Sequence, residues 1–157
     1  MAAGITIARN RAWWEDDLQS ADDLVTFSKT VGESDVYMFA GITGDLSPVH
    51  VDQEYMKRNS PFGERIAHSV LLLGYTSAAS TIAAERLQLR HGWKSMVSLG
   101  YDGIRFVAPV RIGDTITVRY RIAGKDDARQ RTTSEFEVVN QRGETVLVGK
   151  HIMKWFA

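Results

Sequence analysis

The 157-residue sequence contains no cysteine, which excludes disulfide bonds, thiolate metal ligands and a thiol nucleophile. It also has no net charge, because 19 basic and 19 acidic side chains cancel. A neutral chain has no overall field that would draw it to nucleic acid or to an anionic membrane. We therefore expect neither of these partners, and a function that depends on a local site.

The N-terminus lacks the long apolar segment that a secretory signal or a membrane span requires. Residues 1–22 instead mix small and charged residues with the pair Trp13 and Trp14. So much aromatic surface predicts an N-terminal arm that packs onto the body or onto a second subunit. The length is that of one domain, so we expect residues 1–157 to form a single domain. Because the N-terminus has neither a signal nor a span, we expect a cytoplasmic protein.

Proline is scarce, with three residues in the chain, and Pro48 lies between Asp45 and His50. It fixes one φ angle and favours extended geometry at Ser47, which predicts a loop rather than a helix. The carboxylate of Asp45 and the imidazole of His50 are close together in the chain, and each could take up a proton near neutral pH. Equally, Asp45 could be a turn or capping residue and His50 a structural histidine. The local sequence favours neither interpretation.

Apolar periodicity predicts the elements of the first half. Residues 23–31 are predicted to form a strand. Ser34 is predicted to be the N-cap of a short helix that is stopped by Gly41 and Gly44, and residues 52–58 are predicted to form a second short helix. Residues 66–89 lack proline and carry apolar residues on nearly every side, which predicts a long helix buried all round. Its serines and threonines argue against a membrane span.

The second half alternates apolar and polar residues in a way that is typical of strands. Strands are predicted at residues 95–106, 115–122, 132–139 and 145–155, with turns at residues 124–127 and 140–143. Turns of this kind join antiparallel strands into a meander. The expected fold is therefore α+β, a curved antiparallel sheet whose concave face buries the long helix.

Three segments carry a resemblance to a known family: residues 44–52 (GDLSPVHVD), residues 62–71 (FGERIAHSVL), and residues 103–106 (GIRF) with the nearby Pro109-Val110 and Gly113-Asp114. In order and spacing they resemble the MaoC-like (R)-specific enoyl-CoA hydratases and dehydratases of the hot-dog fold. The resemblance spans about residues 27–122. It implies a central helix wrapped by the sheet, and subunits that dimerise by joining their sheets edge to edge.

The resemblance also implies roles for individual residues. Asp45 is implied as the principal base and His50 as its partner and proton donor, acting jointly on one water. The backbone N–H of Ser69 is implied as the donor to the thioester oxygen, at a position where the family usually has glycine. Ser77 matches a serine that some members place beside the pair, although a buried helical serine commonly bonds back to the preceding turn.

The remaining histidines are interpreted as non-catalytic: His68 as a residue that orders the loop, and His91 and His151 as structural or solvated. The spacing of acids and histidines predicts no metal site, and no cofactor is expected. Lys57, Arg58 and Arg105 are candidates to meet the phosphates of coenzyme A, with solvated surface charge as the alternative.

The function implied is reversible hydration of trans-2-enoyl-CoA to (R)-3-hydroxyacyl-CoA by a homodimer, on a short, branched or dicarboxylic acyl chain. Tyr75 is among the residues expected to line the acyl site, with Leu72, Leu73 and Tyr101. An alternative is a hot-dog thioesterase, although Ser77 and Ser80 stand where such an enzyme usually has an acid. A third hypothesis is a non-catalytic acyl-CoA-binding subunit. The presence of both Asp45 and His50 argues against it.

Overall fold

The computed structural model describes residues 24–157, so the predicted N-terminal arm lies outside the described residues. The elements follow in the order β1 (Leu24–Thr30), α1 (Glu33–Thr43), α2 (Pro48–Val51), α3 (Gln53–Asn59), α4 (Ser69–His91), β2 (Ser95–Phe106), β3 (Thr115–Asp126), β4 (Arg131–Val139) and β5 (Thr145–Phe156). None of the helices in this range is long and apolar enough to cross a membrane.

The strands form one antiparallel sheet in the order β1-β3-β4-β5-β2. The predicted meander is confirmed for β3, β4 and β5 and is wrong for β2, which pairs with β5 rather than with β3. Strand β1 pairs with β3, so β1 and β2 are the two edge strands. Helix α4 packs against β1, β3 and β2. This is the predicted α+β, hot-dog arrangement of a long helix on an antiparallel sheet.

The core lies between α4 and the inner face of the sheet. Ile116, Val118 and Tyr120 of β3 are fully buried, as their alternation predicts, and they belong to one cluster with Leu72 and Ala79 of α4. Burying a large apolar side chain contributes about 1.5–3 kcal/mol relative to leaving it exposed. The contact between helix and strand therefore fixes where the first turn of α4 lies.

The prediction that the long helix is buried all round is wrong. Val70 is 57% exposed, and Ser69, Gly74, Ser77 and Thr81 are also exposed. The reason is that the sheet covers only one side of α4, and the other side carries small and polar residues. The helix also begins at Ser69 rather than Ile66, since Ile66 forms a bridge with Arg111.

Three local predictions are also corrected. Helix α1 starts at Glu33 with Gly32 as N-cap, because the N–H of Gly32 donates to the carboxylate of Asp35 at 2.8 Å, and Ser34 lies inside the helix. Strand β3 continues through residues 124–126, where the pairing with β4 is maintained past a register shift. His50 lies on the single turn of α2 rather than in a loop.

Candidate active site

Asp45 follows directly after the C-cap of α1. That cap, Gly44, has a φ of 78°, a left-handed conformation that glycine adopts without strain, and its N–H donates to the Ala40 carbonyl at 2.8 Å. The Oδ1 of Asp45 accepts the N–H of Ser47 at 3.3 Å. The side chain remains 51% exposed, and its other oxygen, Oδ2, lies 3.9 Å from Nε2 of His50 and 3.9 Å from Nε2 of His68.

His50 is held on α2 by the chain before α4. Pro48 starts this helical turn, a position where its missing N–H costs nothing. The Nδ1 of His50 lies 2.8 Å from the carbonyl oxygen of Ile66. Because a carbonyl only accepts, Nδ1 carries a proton, and in the neutral ring the lone pair is on Nε2. That nitrogen lies 3.9 Å from Oδ2 of Asp45.

Arg65 holds the segment that supplies the Ile66 carbonyl. Its guanidinium pairs with Glu33 and donates to the Tyr37 hydroxyl at 3.1 Å. The hydrogen bond to Glu33 is the main cause that raises the pKa of Arg65 above its usual value. Farther along, the N–H of Ala67 donates to the Val110 carbonyl at 2.8 Å. The segment is thus tied to α1 on one side and to the chain before β3 on the other.

His68 lies against the pair and is 2% exposed. Its ring stacks on that of His50, with 3.7 Å between centroids and an interplanar angle of 27°. Its Nε2 lies 3.0 Å from the carbonyl oxygen of Asp45, which agrees with the prediction that His68 orders the loop. The stacking itself was not predicted, and its only sequence signal is that two of four histidines lie in neighbouring motifs.

Ser69 is the first residue of the 23-residue helix α4. The first four N–H groups of a helix have no partner within it, and the positive end of the helix dipole lies there. Developing negative charge is therefore favoured beside Ser69. In this first turn the side chains of Ser69 and Val70 are exposed, whereas those of Leu71 and Leu72 are buried.

Asp45, His50 and His68 together offer three ligand atoms within 4.8 Å of one another, a geometry that a metal ion could use. However, the Nε2 of His68 is engaged by the Asp45 carbonyl oxygen and so carries a proton rather than a lone pair. Two ligands remain, fewer than the three or four that protein zinc sites employ. The chemistry of the donor set thus favours acid–base work, and the absence of a metal stays a prediction.

Two other predicted residues lie on α4. Ser77 is on its exposed side, two turns beyond Ser69, and its carbonyl accepts the hydroxyls of Ser80 and Thr81 at 2.8 and 3.0 Å. Tyr75 is half-buried, and the ammonium nitrogen of Lys29 lies 5.9 Å from the centroid of the Tyr75 ring. Burial, and then the nearby carboxylate of Asp35, raise the pKa of Tyr75. Its hydroxyl oxygen is buried without a hydrogen-bond partner among the described residues, and its place in the acyl site stays a prediction.

The cations predicted for coenzyme A differ in what they contact. Lys57 pairs with Glu54 at 2.7 Å on α3, and Arg58 is exposed on the next position. Arg105, on β2, is exposed, and its Nη1 donates to the Ile104 carbonyl at 2.8 Å. None of these contacts reaches Asp45, so the role of the three cations stays a prediction.

The other two histidines have structural surroundings. His91 stacks on Trp93 with 4.6 Å between centroids. His151 is buried, with Nδ1 2.9 Å from the Tyr120 hydroxyl and Nε2 2.8 Å from the Ser98 hydroxyl. Burial lowers the pKa of His151 to about 4. Both agree with the interpretation that these histidines are structural or solvated.

Comparison with known proteins shows which family and which relatives the chain is similar to. The family model described as MaoC like domain matches residues 18–143. The chain is 35% identical over 118 residues to an (R)-specific enoyl-CoA hydratase of Rhodospirillum rubrum, a match that covers 67% of this chain and 76% of that enzyme. It is 37% identical over 103 residues to a 3-hydroxybutyryl-CoA dehydratase of Methylorubrum extorquens, covering 66% of this chain and 60% of that enzyme.

Solved structures agree with these matches. The R-hydratase PhaJ1 from Pseudomonas aeruginosa, in its unliganded form, superposes with a TM-score of 0.66 at 27% identity. The superposition covers 85% of this chain and 79% of that chain. A share of 85% is more than the three motif segments and the chain between them provide, so the agreement extends beyond the motif region.

Proposed function

The chain belongs to the MaoC-like domain family, and from this premise we propose that it is an enzyme that reversibly hydrates trans-2-enoyl-CoA to (R)-3-hydroxyacyl-CoA. The observation that carries the proposal is the facing pair of Asp45 and His50, with Oδ2 and Nε2 3.9 Å apart. In support, one relative is named as an (R)-specific enoyl-CoA hydratase and another as a 3-hydroxybutyryl-CoA dehydratase, and hydration and dehydration are opposite directions of one reaction type.

The pair is suited to hold one water. With Nδ1 of His50 donating to the Ile66 carbonyl, both Nε2 and the Asp45 carboxylate present lone pairs to the space between them. A water bound there donates one proton to each and turns its own oxygen toward the substrate. Because the proposed water bridges the two groups, we assign the proton transfer to the pair rather than to either residue.

Hydration then proceeds in balanced steps. The water oxygen bonds to C3, its proton passes to the Asp45–His50 pair, and the double-bond electrons move toward the thioester oxygen. The backbone N–H of Ser69 stabilises the charge on that oxygen. The pair returns a proton to C2, so that one water has been added across C2 and C3. The reverse sequence is dehydration.

The proposed substrate is a coenzyme A thioester with a short, branched or dicarboxylic acyl chain. The hydroxymethyl group of Ser69, where the family usually has glycine, lies beside the proposed thioester site and restricts the groups that fit there. Arg58 and Arg105, both exposed, are proposed to meet the phosphates, since a nucleotide needs local positive charge on a protein without net charge.

We propose a homodimer as the active form. Strand β2 is a 12-residue edge strand, and Val97, Leu99 and Phe106 on it are exposed. A long apolar edge strand is a template for pairing with another chain. Pairing of β2 with the β2 of a second copy would cover this edge and continue the sheet.

The decisive assay is loss of the conjugated-enoyl absorbance on mixing the protein with trans-2-enoyl-CoAs of different chain lengths. Asp45→Asn should lower kcat by about 10²–10⁴-fold, because it removes a proton acceptor. Asp52→Asn is the matched control: its Oδ1 caps α3 by accepting the Tyr55 N–H at 2.8 Å, and asparagine caps equally well.

Two results would contradict the proposal. One is no turnover of any enoyl-CoA, linear, branched or dicarboxylic, and the other is full activity of Asp45→Asn. Release of free thiol from saturated acyl-CoA would instead support a thioesterase. Product chirality is measured in the same reactions with an (R)-specific coupling enzyme.

A further inference from the structure

His68 occupies the N-cap position of α4 without acting as a cap. Serine, threonine, aspartate and asparagine are favoured there because their side chains accept N–H groups of the first turn. The His68 side chain makes no such bond. Its ring is buried instead between Phe39, 4.9 Å away between centroids, and His50, 3.7 Å away.

The polar contact of this ring is to the backbone of the proposed base. Nε2 of His68 donates to the carbonyl oxygen of Asp45 at 3.0 Å. Its other nitrogen, Nδ1, is buried with no hydrogen-bond partner among the described residues. Donation to Asp45 is therefore the hydrogen bond by which this side chain acts on its surroundings.

Asp45 needs such an anchor more than His50 does. The remaining hydrogen bonds of Asp45 are local and long, from its N–H to the Thr43 hydroxyl and from the Ser47 N–H to its Oδ1, each 3.3 Å. His50, by contrast, has its own bond of 2.8 Å to the Ile66 carbonyl. The tie across the chain that fixes Asp45 relative to α4 thus comes from His68.

We propose that His68 is a positioning residue that holds the carboxylate of Asp45, the imidazole of His50 and the N–H of Ser69 in one frame. The hydrogen bond sets the position of Asp45, the stacked ring sets the plane of His50, and the peptide bond to Ser69 links both to the start of α4. The kinetic part of this proposal rests on the hydration proposed above.

His68 does not take part in the chemistry itself. Its side chain is 2% exposed, so a substrate cannot reach it. The nitrogen nearest the Asp45 carboxylate, at 3.9 Å, is the one already donating to the Asp45 carbonyl. The residue therefore acts through Asp45 and His50.

Three substitutions separate the hydrogen bond from the ring. His68→Gln retains a donor, because glutamine Nε2 is the same number of bonds from Cβ as histidine Nε2, but it loses the ring. His68→Phe retains a ring between Phe39 and His50 and loses the donor. His68→Leu loses both. His91→Gln, an exposed histidine at the other end of α4, is the matched control.

The first measurement is the split between kcat and KM for an enoyl-CoA. We expect His68→Phe and His68→Leu to lower kcat by about 10- to 100-fold and to change KM by less than about threefold, since misplacement by about 1 Å has effects of this size. His68→Gln should keep kcat within about fivefold of the parent, because it retains the hydrogen bond that fixes Asp45 and loses only the ring that sets the plane of His50.

The second measurement does not require turnover. Hydrogen exchange of a peptide covering residues 44–51 should be about fivefold or more faster in the Phe and Leu variants and close to the parent in the Gln variant. The melting temperature of each variant shows whether it has kept the fold. Exchange rates are compared only among the variants that have kept the fold.

The two proposals fail in different ways. If the parent protein hydrates no enoyl-CoA, the proposed function is wrong, and the exchange of residues 44–51 still decides the role of His68. Parent-like exchange and parent-like kcat in His68→Phe would overturn the positioning role. So would equal losses in His68→Gln and His68→Phe, because the side chain would then contribute packing alone.

Discussion

Oδ2 of Asp45 and Nε2 of His50 face each other across 3.9 Å. This separation is too long for a direct hydrogen bond and suits a water that donates to both atoms. The arrangement depends on the Ile66 carbonyl, which fixes the proton of His50 on Nδ1. A backbone atom from the chain before α4 thereby decides that two acceptors, rather than a donor and an acceptor, meet at the proposed water site.

The first prediction is that Asp45 and His50 act as one unit. His50→Asn keeps a donor to the Ile66 carbonyl but removes the Nε2 acceptor. We expect Asp45→Asn, His50→Asn and the double variant to lower kcat to similar extents, because a second loss adds little once the bound water is no longer activated. Steady-state kinetics with an enoyl-CoA tests this. Multiplication of the two single effects would show that the groups act independently.

The second prediction concerns the Ser69 amide. Proline is tolerated at the first position of a helix, and the residue before it, His68, already has φ −60° and ψ 128°, which suits a residue preceding proline. Ser69→Pro should therefore keep the fold while lowering kcat by about 10²–10³-fold, because it removes one oxyanion donor.

Ser69→Gly and Ser69→Ala are the controls for this change, since both retain the amide and should retain kcat. The measurements are kcat and melting temperature for all three variants. An active and stable Ser69→Pro would exclude the amide from the reaction.

The third prediction is a pH dependence of stability at His151. Burial lowers its pKa from 6.5 to about 4 in the folded chain. The unfolded chain therefore binds a proton more readily, so the contribution of neutral His151 is present above pH 6.5 and is lost as the pH falls toward 4. The slope approaches about 1.4 kcal/mol per pH unit within this window.

Urea denaturation of the parent and of His151→Gln between pH 4 and 7.5 measures that contribution. The difference between the two free energies of unfolding should shrink as the pH is lowered, because the variant lacks the titrating group. A difference independent of pH would mean that His151 does not titrate between the two states.

The fourth prediction concerns the edge of the sheet. Leu99→Lys places a charge on the exposed apolar strand β2, which should weaken pairing with a second copy. We expect the mass in analytical ultracentrifugation to fall from that of a dimer toward that of a monomer. Leu89→Lys, which changes an exposed leucine of α4, should leave the dimer intact. A monomeric parent protein would contradict the proposed assembly.

The fifth prediction is that chelation leaves the hydration rate unchanged. Since the His68 Nε2 carries a proton, Asp45 and His50 are too few ligands for a zinc site. Dialysis against EDTA followed by the enoyl-CoA assay tests this. A loss of rate that Zn²⁺ restores would require His68 to release its contact with Asp45.

Residue order predicted the strands and the long helix, but not that β2 pairs with β5 at the edge of the sheet. The alternation of Ile116, Val118 and Tyr120 predicts a half-buried strand because side chains in a strand point to opposite faces in turn, and all three are buried. Likewise, the absence of proline over residues 66–89 predicts the long helix, although not that only one of its sides is covered. The motif at residues 44–52 identified Asp45 and His50 as candidates without showing whether they meet.

The meeting itself was decided by the tertiary structure. His50 bonds to Ile66 and stacks on His68, contacts over 16 and 18 positions in the chain, and no pattern of local spacing encodes them. They exist because α4 packs on the sheet and Arg65 ties the preceding segment to α1. The local sequence is equally compatible with Asp45 and His50 as turn residues. Contacts between distant parts of the chain place them as two facing acceptors, with the imidazole of His68 stacked on that of His50.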